Sequence, residues 1–97
     1  MPRKYLRITE VTKICGVDVK FVRRLEQEKV IYPIVRRSQK FYPLDQVDRV
    51  RVAHLLIEEM GVNLEGAEVA LHMREQMIAM QHQFNEILRL LGRELRK

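Results

Sequence analysis

Between residues 20 and 27 the chain carries four side chains suited to a nucleic-acid groove: Lys20, Arg23, Arg24 and Gln27. Arginine binds guanine O6 and N7 with two parallel hydrogen bonds, and glutamine does the same for adenine. Lysine and some arginines serve phosphates and set position. Interleaved with the four are Phe21, Val22 and Leu25, apolar residues at helical spacing that give the segment a face to bury. No acid stands among the four, so their face stays positive. A second cationic group, Arg36, Arg37 and Lys40, lies beside Tyr42 and suits phosphate or minor-groove contact. Each group also has a plainer reading. Arg23 and Arg24 can pair with Glu26, Glu28 or a neighbouring acid, as on many helix surfaces. The stretch from Arg36 to Lys40 can be a solvated turn, with Phe41 and Tyr42 as its packing anchors.

Other chemistries find little support. His54, His72 and His82 are scattered, and none pairs at i, i+4 around a carboxylate, so no zinc site is expected. Cys15 is the only cysteine and reads as a small apolar filler rather than a redox or metal group. Glu58-Glu59 is a surface carboxylate pair with no implied pocket. There is no glycine-rich phosphate loop and no nucleophile elbow. The expectation is a protein that is not an enzyme, with no cofactor, no metal and no evident small-molecule ligand.

Length and charge agree with a small binding protein. The chain has 97 residues, room for one small domain, with 46% hydrophobic and 32% charged residues. Residues 1–52 hold 13 Lys/Arg against 6 Asp/Glu, a net of +7, whereas residues 53–97 hold 5 against 7, a net of −2. The basic half therefore reads as a nucleic-acid face, or more blandly as a basic solvated surface. No apolar run approaches the roughly 18 residues of a membrane span. Met1-Pro2-Arg3-Lys4 has no apolar stretch behind it, so no secretory signal is expected. A reducing, cytoplasmic setting fits the single cysteine.

These residues need elements to place them. Thr9 is a candidate cap for a short helix through Val11, Ile14 and Cys15, ended by Gly16. Asp18 caps a second helix carrying Phe21, Val22 and Leu25. Two short helices about Gly16-Val17-Asp18 make a helix-turn-helix pattern. Val30 to Val35 reads as extended chain, Arg36-Arg37-Ser38-Gln39 as a turn, and Lys40-Phe41-Tyr42 as a short strand. Together they predict a two-stranded wing leaning on the helices. Asp45 caps a third helix whose buried face carries Val47, Val50, Leu55 or Leu56, Ile57 and Met60, ended by Gly61. Asn63 caps a last helix running to about Arg96, roughly 45 Å long. Along it Ala70, Met73, Met77, Met80, Phe84, Ile87 and Leu91 alternate at spacings of 3 and 4, an a/d seam. A helix that long exceeds what so small a domain can cover, so the seam predicts a second subunit; the alternative is a helix folded back on its own domain.

The order of these motifs resembles the DNA-binding domain of the MerR family over about residues 5–71. The matching residues are Ile8-Thr9-Glu10-Val11, Gly16-Val17, Val22-Arg23-Arg24-Leu25-Glu26, Val30-Ile31 with Pro33, Lys40-Phe41-Tyr42, and Asp45, Val47 and Arg49. The stretch Gly61-Val62-Asn63-Leu64-Glu65-Gly66 is similar to a branch holding heat-shock repressors and chaperone modulators that bind a DnaJ-like co-chaperone. The resemblance implies a winged helix-turn-helix with an antiparallel helical dimer seam. The sequence departs from the family pattern at Phe21, at Arg24-Leu25 in place of a tyrosine pair, at Lys29 in place of a glycine, and in a wing without glycine.

The resulting expectation is an all-α fold with a small β-wing: a winged helix-turn-helix at 1–62, then a coiled-coil dimerisation helix at 63–97. The expected function is a sequence-specific transcriptional regulator lacking an effector-sensing domain. Its partners would be double-stranded DNA, through Lys20, Arg23, Arg24, Gln27, Arg36, Arg37, Lys40 and Tyr42, and a second copy, through Met73, Met77, Met80, Phe84, Ile87 and Leu91. The alternative is an adaptor that binds a J-domain co-chaperone rather than DNA.

Overall fold

The computed structural model describes residues 4–95. The first three residues of the expected head and the last two of the expected helix, including Arg96, lie outside the described residues. In chain order the elements are β1 (Tyr5–Leu6), α1 (Ile8–Cys15), α2 (Val19–Gln27), β2 (Ile34–Arg36), β3 (Gln39–Pro43), α3 (Leu44–His54) and α4 (Leu64–Leu95). This is a winged helix-turn-helix followed by a long C-terminal helix. Between α3 and α4 the chain makes a π-helical turn over Leu55–Glu59, with the Met60 amide donating to the Leu55 carbonyl at 3.1 Å.

The helix-turn-helix is built by local chemistry. Gly16 ends α1 at φ 66°, which lets its own amide and that of Val17 turn back onto the Thr12 carbonyl. Asp18 then accepts from the Phe21 amide at 2.8 Å and starts α2. At the far end of α2 Lys29 holds φ 59°. Its amide donates to Glu26 O at 3.1 Å, and the Val30 amide to Leu25 O at 2.8 Å. That is a Schellman exit, closed by contact between two fully buried apolar residues, Leu25 and Val30.

Two expected caps move. Thr9 lies inside α1, which starts at Ile8 after Arg7, because the Glu10 carboxylate reaches back to the Arg7 amide at 2.9 Å. Asp45 lies in the first turn of α3, which starts at Leu44 after Pro43; the Leu44 amide is taken by the Lys4 carbonyl at 3.2 Å. Asn63 does cap α4, accepting from the Gly66 amide at 2.7 Å. A side chain at Gly66 would press into that cap, since an added Cβ would sit 2.9 Å from Val62 and 3.0 Å from Asn63.

The expected two-stranded wing has a third strand. The order is β1-β3-β2, with β3 central and antiparallel to both. Leu6 lies opposite Tyr42, and Ile34, Val35 and Arg36 lie opposite Phe41, Lys40 and Gln39. The two-residue turn Arg37-Ser38 takes φ of 51° and 63°, the type I′ geometry whose twist matches a hairpin.

One core joins sheet and helices: Leu6, Val11, Val22, Leu25, Val30, Ile31, Tyr42, Val47, Val50, Ala53 and Leu71. Of the pair Leu55 or Leu56 expected on the buried face of α3, Leu56 is half-buried and Leu55 exposed; Ile57 is half-buried too, whereas Met60 is exposed. The π turn widens the helix there, so the register that buries Val47 and Val50 does not carry on to Met60. Only Ala67 and Leu71 of the 32 residues of α4 are buried. The radius of gyration is 17.1 Å, against about 13 Å for a compact chain of this length, because α4 projects from the head.

Ion pairs anchor the root of α4. Asp48 accepts from Arg74 at 2.8 Å and from Arg51 at 2.7 Å. Arg49 donates to the Val30 carbonyl at 2.8 Å and pairs with Glu75. Burial pushes the Asp48 carboxyl up, but the hydrogen bonds from Arg51 and Arg74 outweigh it and hold it below the usual aspartate range.

Two predictions follow from this architecture. A carboxylate depressed in the folded state contributes stability above its unfolded pKa and loses it as pH falls through the folded value. Urea melts at about pH 6 and about pH 3 should therefore show a smaller acid loss for Asp48→Asn than for the parent. Equal losses would remove Asp48 from the acid response. Ser38→Gly relieves a left-handed residue and should raise stability by about 0.5–1 kcal/mol, seen as a higher Tm by circular dichroism; an unchanged or lower Tm would show the turn unstrained.

Candidate nucleic-acid interface

Burial sets the rotation of α2. Val22 and Leu25 are fully buried, and Phe21 is half-buried with its ring edge-on to His54, centroids 5.6 Å apart. The opposite side of the helix is therefore solvent-facing, and it carries Lys20, Arg23, Arg24 and Gln27, all exposed. Residues at i, i+3, i+4 and i+7 lie along one stripe, so the four form a single row. Of the pairing alternative for this row the structure holds only the charge influence of Arg23 on Glu26. Among the described residues neither Arg23 nor Arg24 has an ion pair with Glu26 or Glu28, and Glu26 is turned towards the wing.

The wing brings Lys40 to the side of the sheet that faces α2, whereas Arg36 lies on the other face with Ile34 and Phe41. Arg36, Arg37 and Ser38 are exposed at its tip. Lys40, on β3, pairs with Glu26 of α2 and leaves its side chain 55% exposed. A cleft of about 380 Å³ runs between α2 and the wing, lined by Arg7, Ile8, Arg23, Glu26, Ser38, Lys40 and Tyr42. Ser38 of the tip and Lys40 thus share a cleft with Arg23 of the helix row.

Tyr42 corrects the sequence expectation. It is 1% exposed, lies opposite Leu6 in the sheet, and donates its hydroxyl to Glu26 at 2.8 Å. Tyr42 fills the core under the wing and does not face a groove. Strand alternation is the reason: Tyr42 points inward where Phe41 points outward. Burial, then the hydrogen bond to Glu26, pushes the Tyr42 phenol far up, so it stays protonated and donating. Burial also acts on Glu26, but hydrogen bonds from Lys40 and Tyr42 outweigh it and keep that carboxyl below its ordinary value.

The structure adds Arg7, which the sequence reading did not single out. Its guanidinium lies 5.4 Å from the centre of the Phe41 ring and donates to Gln39 at 3.2 Å. Pairing of β1 with β3 puts a residue from the start of the chain beside the wing. No local pattern announces such a pairing; the only signal was a basic residue just ahead of Ile8.

Cys15 packs at the edge of the core, its thiol 3.6 Å from the Val47 carbonyl and pushed up in pKa by burial. Among the described residues no cluster of His, Cys, Asp and Glu could hold a metal ion. Likewise, no helix among them is long and apolar enough to cross a membrane. The expected seam residues Met73, Met77, Met80, Phe84, Ile87 and Leu91 are all exposed on α4, 53% to 68% each.

In comparison with known proteins, residues 6–89 match the family model described as MerR HTH family regulatory protein. No curated protein matches the chain.

Proposed function

From a chain that belongs to the MerR helix-turn-helix family of regulatory proteins, whose members are DNA-binding transcription regulators and not enzymes, we propose a specific mode of action. The protein is a sequence-specific regulator that reads duplex DNA with α2 and steadies itself with the wing. The observation that carries this reading is the exposed row Lys20, Arg23, Arg24 and Gln27, held outward by the buried Val22 and Leu25. A helix of this size fits a major groove, and the row offers bidentate partners for guanine and adenine. Arg36 and Arg37 at the wing tip meet phosphates, and Lys40 stands between the two groups.

The chain divides its labour near residue 62. The head, 1–62, binds DNA, and the helix, 63–97, pairs with a second copy. The support is the apolar stripe of α4, which no described part of its own head buries beyond Leu71. Leu88 and Leu90 widen this stripe past Phe84. In an antiparallel pair that wider end comes beside the partner's head, whereas a parallel pair leaves it uncovered. Two-fold symmetry then calls for a pseudo-palindromic site. The second reading, an adaptor for a J-domain co-chaperone, draws on Arg24-Leu25 standing where the family pattern has a tyrosine pair.

Two experiments test these readings. Selection of genomic DNA fragments by the purified protein at physiological salt should enrich a pseudo-palindrome, and the Arg23→Ala/Arg24→Ala variant should bind it roughly ten- to a hundred-fold more weakly. Equal binding by the variant would sink the α2 reading, and no enrichment would favour the adaptor. Phe84→Asp puts a charge at the centre of the seam and should convert the dimer to monomer in analytical ultracentrifugation. An unchanged profile would place the dimer contact elsewhere.

A further inference from the structure

Glu26 is an anomaly on this surface. It is an acid at the wall of a cleft whose charged neighbours are Arg7, Arg23 and Lys40, where a DNA-binding face gains nothing from negative charge. Both of its oxygens are engaged: one accepts from the Tyr42 hydroxyl at 2.8 Å, the other from the Lys40 ammonium. Glu26 belongs to α2, and both donors belong to β3. This group links the reading helix to the wing through side chains.

We propose that Glu26 is a positioning residue for DNA binding, bracing the wing against α2 through Lys40 and Tyr42, and that Lys40 serves this brace instead of a phosphate. The inference rests on the DNA-binding reading above. Three features argue for it. Tyr42 is buried, so its hydroxyl needs a partner from the protein, and Glu26 is the group that reaches it. The two donors lie two residues apart on β3, one on the core side and one at the rim of the cleft, so a single carboxylate fixes both position and tilt of the strand. The Lys40 pair is also half-exposed, the kind of ion pair that adds little to stability. Its effect falls on orientation: it sets how far the tip residues Arg36 and Arg37 stand from the row on α2.

The sign of one measurement separates this from a simple charge effect. Neutralising an acid on a DNA-binding surface should tighten binding if only charge matters. The brace predicts the opposite. Glu26→Gln keeps the size of the side chain and an acceptor for Tyr42, but takes the counter-charge from Lys40. It should weaken binding to a mixed-sequence duplex of about 40 base pairs roughly five-fold, while the far-ultraviolet dichroism and Tm stay near the parent's. Tighter binding would overturn the proposal. The charge-neutral double variant Glu26→Gln/Lys40→Met then tests whether Lys40 touches DNA. Its plot of log affinity against log salt should keep the parent's slope, and a slope shallower by about 0.9 per Lys40 would show a phosphate contact and overturn the brace. Lys40→Arg, which can still bond the carboxylate, should bind like the parent; a loss equal to that of Glu26→Gln would count against the brace. A parent that binds no duplex in the same titration would instead overturn the DNA-binding reading, and the brace with it.

Discussion

The rotation of α2 about its own axis governs the rest of this molecule. Val22 and Leu25 are fully buried among Val11, Val30, Val50 and Tyr42, and close packing leaves a helix with such a face little freedom to turn. Once that face is set, Lys20, Arg23, Arg24 and Gln27 have only solvent to point into. The Schellman exit at Lys29 holds the same rotation from the C-terminal end, because Leu25 and Val30 close it as part of the core. Side-chain length then matters as much as charge: the row carries long donors, and the core behind it is made mostly of short, branched residues that let α1 and α3 come close.

The two acids that hold the fold in shape are used alike. Glu26 gathers Lys40 and Tyr42; Asp48 gathers Arg51 and Arg74. Each carboxylate sits on a helix of the head and takes a donor from another element, β3 for Glu26 and α4 for Asp48. Each is held below its ordinary pKa, so the charged form persists to lower pH than that of a free carboxyl. Burial alone would raise both values, and the hydrogen bonds win because the groups are only partly desolvated. The head is thereby joined to its wing and to its long helix by oriented charge as well as by apolar packing.

The long helix poses a different physical problem. Its root is buried at Ala67 and Leu71, and from there to Leu95 it carries large apolar side chains in water. Apolar surface on this scale is unfavourable in water at roughly 25 cal/mol per Å². The proposed second copy removes that surface, and it places two basic heads at a spacing set by one rigid element. Methionine on the root half of the stripe and leucine, isoleucine and phenylalanine on the far half give the two ends different packing shapes.

Much of this was legible in the chain itself, wherever the cause is local. Asp18 before an apolar repeat, glycines at 16 and 61, Asn63 ahead of a long seam, and the turn at Arg37-Ser38 each act within a few residues, and each sits in the structure where its chemistry implied. Some departures were local, as where Glu10 reaches back to the Arg7 amide and displaces Thr9 as the cap, and others came from contacts between distant segments. Pairing of Tyr5-Leu6 with β3 adds a strand too short to register as a pattern, and it carries Arg7 to the wing. The parity of β3 decides that Tyr42 is core and Phe41 is surface; an aromatic pair in sequence fits either phase. Leu55 lies off the stripe of Val47 and Val50 even at a uniform 3.6-residue period, so Leu56 is the half-buried one of the two, and Met60 follows the π turn into solvent. The residue types and their short-range spacing determined the helices, several of their ends and the basic row; only the tertiary structure decided which side of the wing meets the core, because that choice rests on packing between segments far apart in the chain.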